Sequence, residues 1–177
     1  MCVEIELKLK IKSPAQTVQK LTELGAEFLA EQSQKDCFFD DADASLITTD
    51  RCLRLRRQSV DGGERFFLTY KGAKEKDNFK KRQELEIEIL EAERMEELLS
   101  ALGYKKVLTI EKRRSVWKYG GCSVALDRLA LLGDFVEIEG PDDAAIADVQ
   151  KRLGLGNLPH IAKSYAQLTQ EERNKRA

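Results

Sequence analysis

Residues 3–12 read VEIELKLKIK, and this stretch decides the fold. Its odd-numbered residues are all valine, leucine or isoleucine, whereas its even-numbered residues are all glutamate or lysine. An alternation with a period of two is typical of a β-strand that has one apolar and one polar face. The sequence therefore predicts a strand here, with Glu4, Glu6 and Lys8 on one common face.

The rest of the chain continues the strand pattern with helices at intervals. Further strands are predicted at 35–40, 52–58, 64–71, 80–90, 107–119, 123–129 and 135–139. One helix is predicted between Ser13, which can cap it, and Gly25, which can end it. Other helices are predicted at 91–102, 142–153 and 163–173. Short strands in hairpin order predict a single α+β domain over 1–177, built on an antiparallel barrel.

Composition narrows the class of protein. The 177 residues include 30 basic and 31 acidic side chains, whereas proteins that bind nucleic acid usually carry a basic excess. The four cysteines have no metal-finger spacing, and no apolar run approaches the roughly 20 residues of a membrane span. Charges near residue 4 argue against a signal peptide. We therefore expect a cytoplasmic protein without a nucleic-acid or membrane partner.

Full charges, rather than mixed polar residues, alternate with apolar residues on most of the predicted strands. A sheet with one solvated face would explain alternation on any single strand. However, the signs differ between strands, because acids dominate the first and the last ones and bases concentrate between them. The polar positions that share a face within their strand are Arg54 and Arg56, Thr69 and Lys71, Arg82 to Glu88 at even numbers, Lys112 and Arg114, and Glu137 and Glu139.

A barrel that turned these faces inward would combine a cationic wall with a group of carboxylates in one lumen. Burying such charges is costly unless something neutralises them. A polyanion with divalent cations would do so, since basic side chains match phosphate oxygens and carboxylates match hard metal ions. Other chemistries lack their motifs: the chain has no P-loop, no G-x-S-x-G turn and no H-E-x-x-H, and His160 is its one histidine.

The charged motifs also occur in a recognisable order. Residues 4–8 form E-x-E-x-K, and LRLR (53–56), YKG (70–72), RQELE (82–86), EKRR (111–114), LD (126–127), GDFVEIE (133–139) and KSY (163–165) follow. In this order the chain resembles the CYTH proteins, also called triphosphate tunnel metalloenzymes, over nearly its whole length. Residues 102–104, 109–112 and 132–135 are most similar to the class IV adenylate cyclases within that family.

The resemblance implies a closed eight-stranded antiparallel β-barrel with flanking helices, and Mg²⁺ or Mn²⁺ with a triphosphate in the lumen. It implies a small-molecule substrate and allows a homodimer. The residues that it implies as metal ligands are Glu4, Glu6, Asp127, Glu137 and Glu139, with Glu84 and Glu86 either binding a second metal or orienting arginines. The residues that it implies as phosphate contacts are Lys8, Arg54, Arg56, Lys71, Arg82, Lys112, Arg114 and Lys163, of which Lys8, Arg56 and Lys112 are the expected catalytic cations.

Two reactions use this set of residues. In an adenylate cyclase, the 3′-hydroxyl of ATP attacks the α-phosphorus and pyrophosphate leaves. In a triphosphatase, water attacks the γ-phosphorus of tripolyphosphate, thiamine triphosphate or a nucleotide. The likeness in the second half of the chain favours the cyclase, with the triphosphatase as the alternative and a non-catalytic polyphosphate or nucleotide binder as the third hypothesis. The sequence leaves the general base and the number of metal ions open.

Overall fold

A closed antiparallel barrel forms the centre of the protein in the computed structural model, which describes residues 2–75 and 80–176. The strand order around the barrel is β1-β5-β4-β3-β2-β6-β7-β8, and β8 returns to β1. The eight strands of this described part are β1 (Cys2–Ile11), β2 (Glu27–Asp40), β3 (Cys52–Val60), β4 (Gly63–Lys71), β5 (Lys80–Ile89), β6 (Lys105–Tyr119), β7 (Cys122–Leu129) and β8 (Gly133–Glu139). The predicted fold class is confirmed.

The helices of the described residues are α1 (Pro14–Glu23), α2 (Ser45–Thr48), α3 (Ala92–Ala101), α4 (Asp143–Arg152) and α5 (Tyr165–Arg176). Helices α1, α3 and α4 pack on the outside of the barrel wall, whereas residues of α2 and α5 line its interior. The Ser13 side chain caps α1 by accepting a hydrogen bond from the Gln16 backbone N–H, as the sequence predicts. Gly25 follows the helix at a φ of 71°, a left-handed backbone conformation that favours glycine.

The two faces of β1 lie in different environments. Leu7, Leu9 and Ile11 point outward and join a buried apolar cluster. Residues of α1 and α4, including Leu21 and Ile146, complete that cluster. Because side chains alternate along a strand, Glu4, Glu6 and Lys8 point into the lumen. Most of the apolar core therefore lies between the barrel and its helices. A smaller cluster of Ile110, Leu129 and Phe135 with Tyr165 lies on the inward strand faces, beside the charges that enclose the interior.

Two elements differ from the prediction. The second strand starts at Glu27 rather than at residue 35, because a β-bulge between Phe28 and Ala30 interrupts the alternation that would have revealed it. The short helix α2 was not predicted, since four residues are too few for a periodic pattern. It is held by the Asp40 carboxylate, which accepts hydrogen bonds from the backbone N–H groups of Leu46 and Ile47.

Across the described residues, the structure has no helix of sufficient length and apolar character to cross a membrane.

Gly140, which follows β8 at the point where α4 packs over the wall, provides a test of the outer core. A Cβ atom at this position would lie 2.7 Å from the Cys122 Sγ and 2.9 Å from the Ile146 Cγ1. We expect Gly140→Ala to lower the free energy of unfolding by about 1–3 kcal/mol, because overpacking forces neighbours apart. Gly156→Ala is the matched control, since nothing lies within 4 Å of its added methyl group. Equal melting temperatures for the two variants would contradict this packing.

Candidate active site

The barrel encloses a cavity of about 940 Å³. Its wall is formed by charged side chains of both signs, contributed by seven of the strands, and helix α5 lies along part of it. The charged strand residues that line the cavity are Glu4, Glu6, Lys8, Asp36, Asp40, Arg54, Arg56, Lys71, Arg82, Glu84, Glu86, Lys112, Arg114, Glu137 and Glu139. Fifteen charged strand residues around one cavity make it a site for ligands that carry several charges themselves.

The first group of paired charges joins β1, β4 and β5. The Lys71 Nζ lies 2.6 Å from both carboxylate oxygens of Glu4 and 3.0 Å from the Glu84 Oε2. The Arg82 Nε donates to the same Glu4 at 3.5 Å. Register explains the proximity, because Glu4 pairs with Arg82 across β1 and β5, and Lys71 pairs with Glu84 across β4 and β5. Glu84 thus pairs with a lysine here, and the two roles expected for it, binding a second metal or orienting arginines, stay predictions.

The second group centres on Asp36, a residue that the sequence analysis missed. Its carboxylate accepts a bidentate pair of hydrogen bonds from Arg56, with distances of 2.7 and 2.8 Å, and the Arg54 NH1 lies 3.8 Å away. Burial raises the pKa of Asp36, but the charges of Arg56 and Arg54 outweigh it and hold the pKa well below its usual range. Asp36 shares the face of Phe38 and Asp40, so the alternation on β2 was the available signal.

Arg54 completes this second group on the β4 side. Its NH2 donates to the Thr69 Oγ1 at 3.0 Å and lies 3.4 Å from the Glu86 Oε2, to which Thr69 also donates. Glu86 therefore orients an arginine in this structure, as Glu84 orients a lysine. The Arg54 Nε is buried and lacks a hydrogen-bond partner among the described residues. A buried donor without an acceptor is costly unless a ligand supplies one.

The third group lies on β6, β7 and β8. Asp127, which is 2% exposed, accepts hydrogen bonds from the Lys112 Nζ at 3.0 Å, the Arg114 Nε at 2.6 Å and the Tyr165 hydroxyl at 2.9 Å. Arg114 also pairs with Glu137, whose other oxygen lies 3.2 Å from the Lys8 Nζ. Because three donors already occupy the Asp127 oxygens beneath the cavity wall, this geometry favours a role in orienting cations over the metal-ligand role expected from the sequence.

Burial changes the protonation of two cavity groups. Burial and the neighbouring Arg114 charge lower the pKa of Lys112 to about 8, although Asp127 acts in the opposite direction. Burial and the charges of Glu4 and Glu6 raise the pKa of Glu139 to about 7. Glu139 therefore lies in a region with an excess of negative charge.

The excess of negative charge around Glu139 indicates whether a divalent cation would fit the cavity. Glu6 and Glu139 are cross-strand partners, and Glu4 lies on the same face of β1. A divalent cation would relieve the repulsion that raises the Glu139 pKa, and carboxylate oxygens are the ligands that Mg²⁺ and Mn²⁺ prefer. Within 2–75 and 80–176, the acidic, histidine and cysteine side chains form no ready cluster of three for a metal. The donor chemistry fits a hard cation, and Glu4 binds a lysine and an arginine in this structure.

Lys163 is the one expected phosphate contact whose side chain the structure places on the surface. Its ammonium group pairs with Glu171 at 2.6 Å and its side chain is 55% exposed. The Lys163 backbone carbonyl, however, accepts a hydrogen bond from the Lys8 Nζ at 3.2 Å. The segment that follows β8 and α4 thus reaches the site through its backbone and through Tyr165, which was not among the expected site residues.

Asp36→Asn tests the pairing of charges in the lumen. We expect a loss of about 3–5 kcal/mol in the free energy of unfolding, because Arg56 and Arg54 would keep buried charges without their carboxylate. The wild-type protein should lose this contribution as the pH falls below about 4, the ordinary aspartate pKa, whereas the variant should not.

Glu111→Gln is the matched control for Asp36→Asn. Glu111 on β6 faces Lys35, the residue before Asp36 on β2, at 3.6 Å in an exposed ion pair. Such a pair contributes at most about 1 kcal/mol. Chemical denaturation between pH 2 and 7 measures both variants, and similar losses for the two would contradict the buried-pair interpretation.

Comparison with known proteins agrees with this geometry. A protein of Methanocaldococcus jannaschii, provisionally named an adenylate cyclase, is 34% identical over 175 residues, which are 94% of this chain and 98% of the relative. A solved structure of a Pyrococcus horikoshii protein has a TM-score of 0.85 and 31% identity, covering 96% of this chain and 99% of that one.

A third similarity concerns the fold alone. A Hippeastrum protein, provisionally named an adenylyl cyclase and described as having a dominant triphosphatase activity, has a TM-score of 0.75 at 19% identity, with 95% of each chain covered. The family model of the CYTH domain matches residues 3–165. With the closed barrel, the charged lumen and this match together, the chain belongs to the CYTH family.

Proposed function

We propose that the protein is an adenylate cyclase of the class IV type, which converts ATP to cyclic AMP and pyrophosphate with Mg²⁺ or Mn²⁺. The observation that carries this proposal is a cavity with a cationic section and an adjoining apolar section. Family membership and the neighbours described above make the protein an enzyme of the adenylate cyclase or triphosphatase type. The substrate and the reaction are the proposed part.

The cationic section suits a triphosphate chain. Lys8, Arg54, Arg56, Lys71, Arg82, Lys112 and Arg114 all lie in or along it. Guanidinium groups can hold two phosphate oxygens at once, and ammonium groups act as point charges. A polyanion entering the cavity would take over cations that Asp36, Glu4 and Asp127 now neutralise. Its binding energy is thus the difference between two sets of charge-assisted bonds.

The apolar section suits a nucleoside. It lies at the end of the barrel where β2 ends and β3 and β6 begin, and Leu108, Phe38 and Arg54 are cross-strand neighbours there. A site for tripolyphosphate alone would have no use for this surface, whereas an aromatic ring and aliphatic side chains can contact a base and a ribose. The apolar residues lining this section are Phe38, Leu46, Ile47, Leu53, Val107 and Leu108.

In the proposed reaction the 3′-oxygen of the ribose forms a bond to the α-phosphorus as the bond to the β-phosphate oxygen breaks. The hydroxyl proton passes to a carboxylate of the cavity, and pyrophosphate leaves with the electron pair. Lys8, Arg56 and Lys112 stabilise the negative charge that develops on the phosphate oxygens, because fixed cations in a site with little water act strongly on charge. A metal ion held by Glu4, Glu6, Glu137 and Glu139 would supply Lewis-acid polarisation of the phosphates.

A triphosphatase remains the second candidate, since the cationic section alone could hold tripolyphosphate and the Hippeastrum protein is described with that activity. In the described part of the chain Cys37, Cys52 and Cys122 are free thiols, which supports the proposal of a cytoplasmic, reducing location. The expected homodimer stays a prediction.

A product assay separates the candidates. Purified protein is incubated with ATP or with tripolyphosphate, in Mg²⁺ or in Mn²⁺, and the products are separated by chromatography. We expect cyclic AMP and pyrophosphate in equal amounts from ATP. Orthophosphate without cyclic AMP would establish the triphosphatase instead, and no product from either substrate would overturn both.

Lys8 and Lys12 provide a matched pair. Lys8 lies on β1, and Lys12 directly follows that strand in line with the same face. Lys8 is buried and lines the cavity, whereas Lys12 is exposed and, at roughly 3.3 Å per residue, lies about 13 Å further along the chain. We expect Lys8→Ala to lower kcat/KM about 100-fold, the scale of losing one placed charge-stabilising donor, and Lys12→Ala to leave it within about twofold. Equal losses would show that bulk positive charge, rather than a placed contact, explains activity.

A further inference from the structure

The segment that leads into α5 contacts the cavity at the lysines that the proposed function uses for phosphate. The Ile161 backbone N–H donates to the Lys8 carbonyl at 2.9 Å, and the Lys163 carbonyl accepts from the Lys8 Nζ. The Lys8 Nζ also lies 3.9 Å from the centre of the Tyr165 ring, and the Lys112 Nζ lies 4.9 Å from it. One aromatic ring therefore contacts two buried ammonium groups.

Tyr165 is itself fixed on several sides. It is 9% exposed, its hydroxyl donates to Asp127, and its ring packs edge-on against Phe135 with 5.2 Å between ring centres. Burial and the charges of Glu137 and Asp127 raise the Tyr165 pKa well above its usual value, so the phenol stays a neutral donor. Asp127 on β7 and Phe135 on β8 thus hold the ring, and the Lys112 Nζ shares the Asp127 carboxylate with the Tyr165 hydroxyl.

The Tyr165 ring replaces part of the stabilisation that hydration would give the two ammonium groups. Lys8 and Lys112 are buried, so their ammonium groups have lost most of their hydration. Asp127 must also serve Arg114, so it offers Lys112 only part of its charge. The face of an aromatic ring carries partial negative charge and attracts a desolvated cation within about 6 Å. Unlike a carboxylate, a ring does so without bonds that a phosphate would have to break.

We propose that Tyr165 is a positioning residue that holds the Lys8 and Lys112 ammonium groups where they meet the phosphates of the substrate. The inference rests on the proposed function, since it takes these lysines as phosphate contacts. It assigns the C-terminal helix a part in substrate binding through its first residue. The ring supplies the effect, and its packing against Phe135 keeps it in place without the hydroxyl bond.

Variants at Tyr165 separate the ring from the hydroxyl and from packing. Tyr165→Phe keeps the ring, and Tyr165→Leu removes it. Tyr104→Leu is the control, because Tyr104 packs in a different apolar cluster, against α3. Calorimetry gives the Kd of tripolyphosphate, and thermal unfolding gives the stability of each variant. Tyr165→Met, which keeps the apolar volume, replaces Tyr165→Leu if the leucine variant does not fold.

We expect the Kd to rise about tenfold in Tyr165→Leu, equivalent to about 1.4 kcal/mol, and to stay within about twofold in Tyr165→Phe and Tyr104→Leu. A wild-type Kd in Tyr165→Leu, with only the melting temperature lowered, would overturn the inference and leave the proposed function intact. Equal losses in the phenylalanine and leucine variants would also overturn it, because the hydroxyl would then be responsible. Failure of the wild-type protein to bind tripolyphosphate would overturn the proposed function first.

Discussion

Charge pairing inside the barrel is the constraint on which the rest of the structure depends. An unpaired ion in the interior costs several kcal/mol, and the lumen holds acids and bases from seven strands. Closure of the sheet brings them together, since Glu4 meets Lys71 and Arg82 only because β1 joins β5. An open sheet with the same sequence would leave these faces in water, with no site between them.

The same constraint moves the apolar core to the outside of the wall. On β1 the leucines that alternate with the charges face α1 and α4, and on β3 Leu55 packs in a cluster with Ala92 and Leu99 of α3. The helices therefore stabilise the barrel from outside, and side chains need not fill its centre. This arrangement leaves about 940 Å³ inside the wall for a ligand.

Alternation made the fold and most of the cavity residues predictable, because period two fixes both the strand and the face. Asp36 was missed since a single acid after Lys35 resembles the polar residue of an ordinary strand, and its role depends on the register that sets it opposite Arg56. Lys163, in contrast, was expected in the site but points to the surface. A sequence motif gives the residue type and not the direction of its side chain. The environment of Asp127 was likewise not predictable from the sequence, because only the tertiary structure brings Lys112 and Tyr165 to its carboxylate.

The pairing of Leu7 with Ile138 has a consequence for the order of folding. One edge of β1 can pair with β5, but the cylinder cannot close until β8 reaches the other edge, after nearly all of the chain between them. Pairings this distant in sequence are slow to form, because the chain loses the entropy of closing a long loop before the stabilising contacts exist. Until then one edge of β1 is open to other chains, and its lysines and glutamates disfavour packing against them because burying full charges costs free energy. The alternation that builds the cavity thus also protects the nascent protein from aggregation.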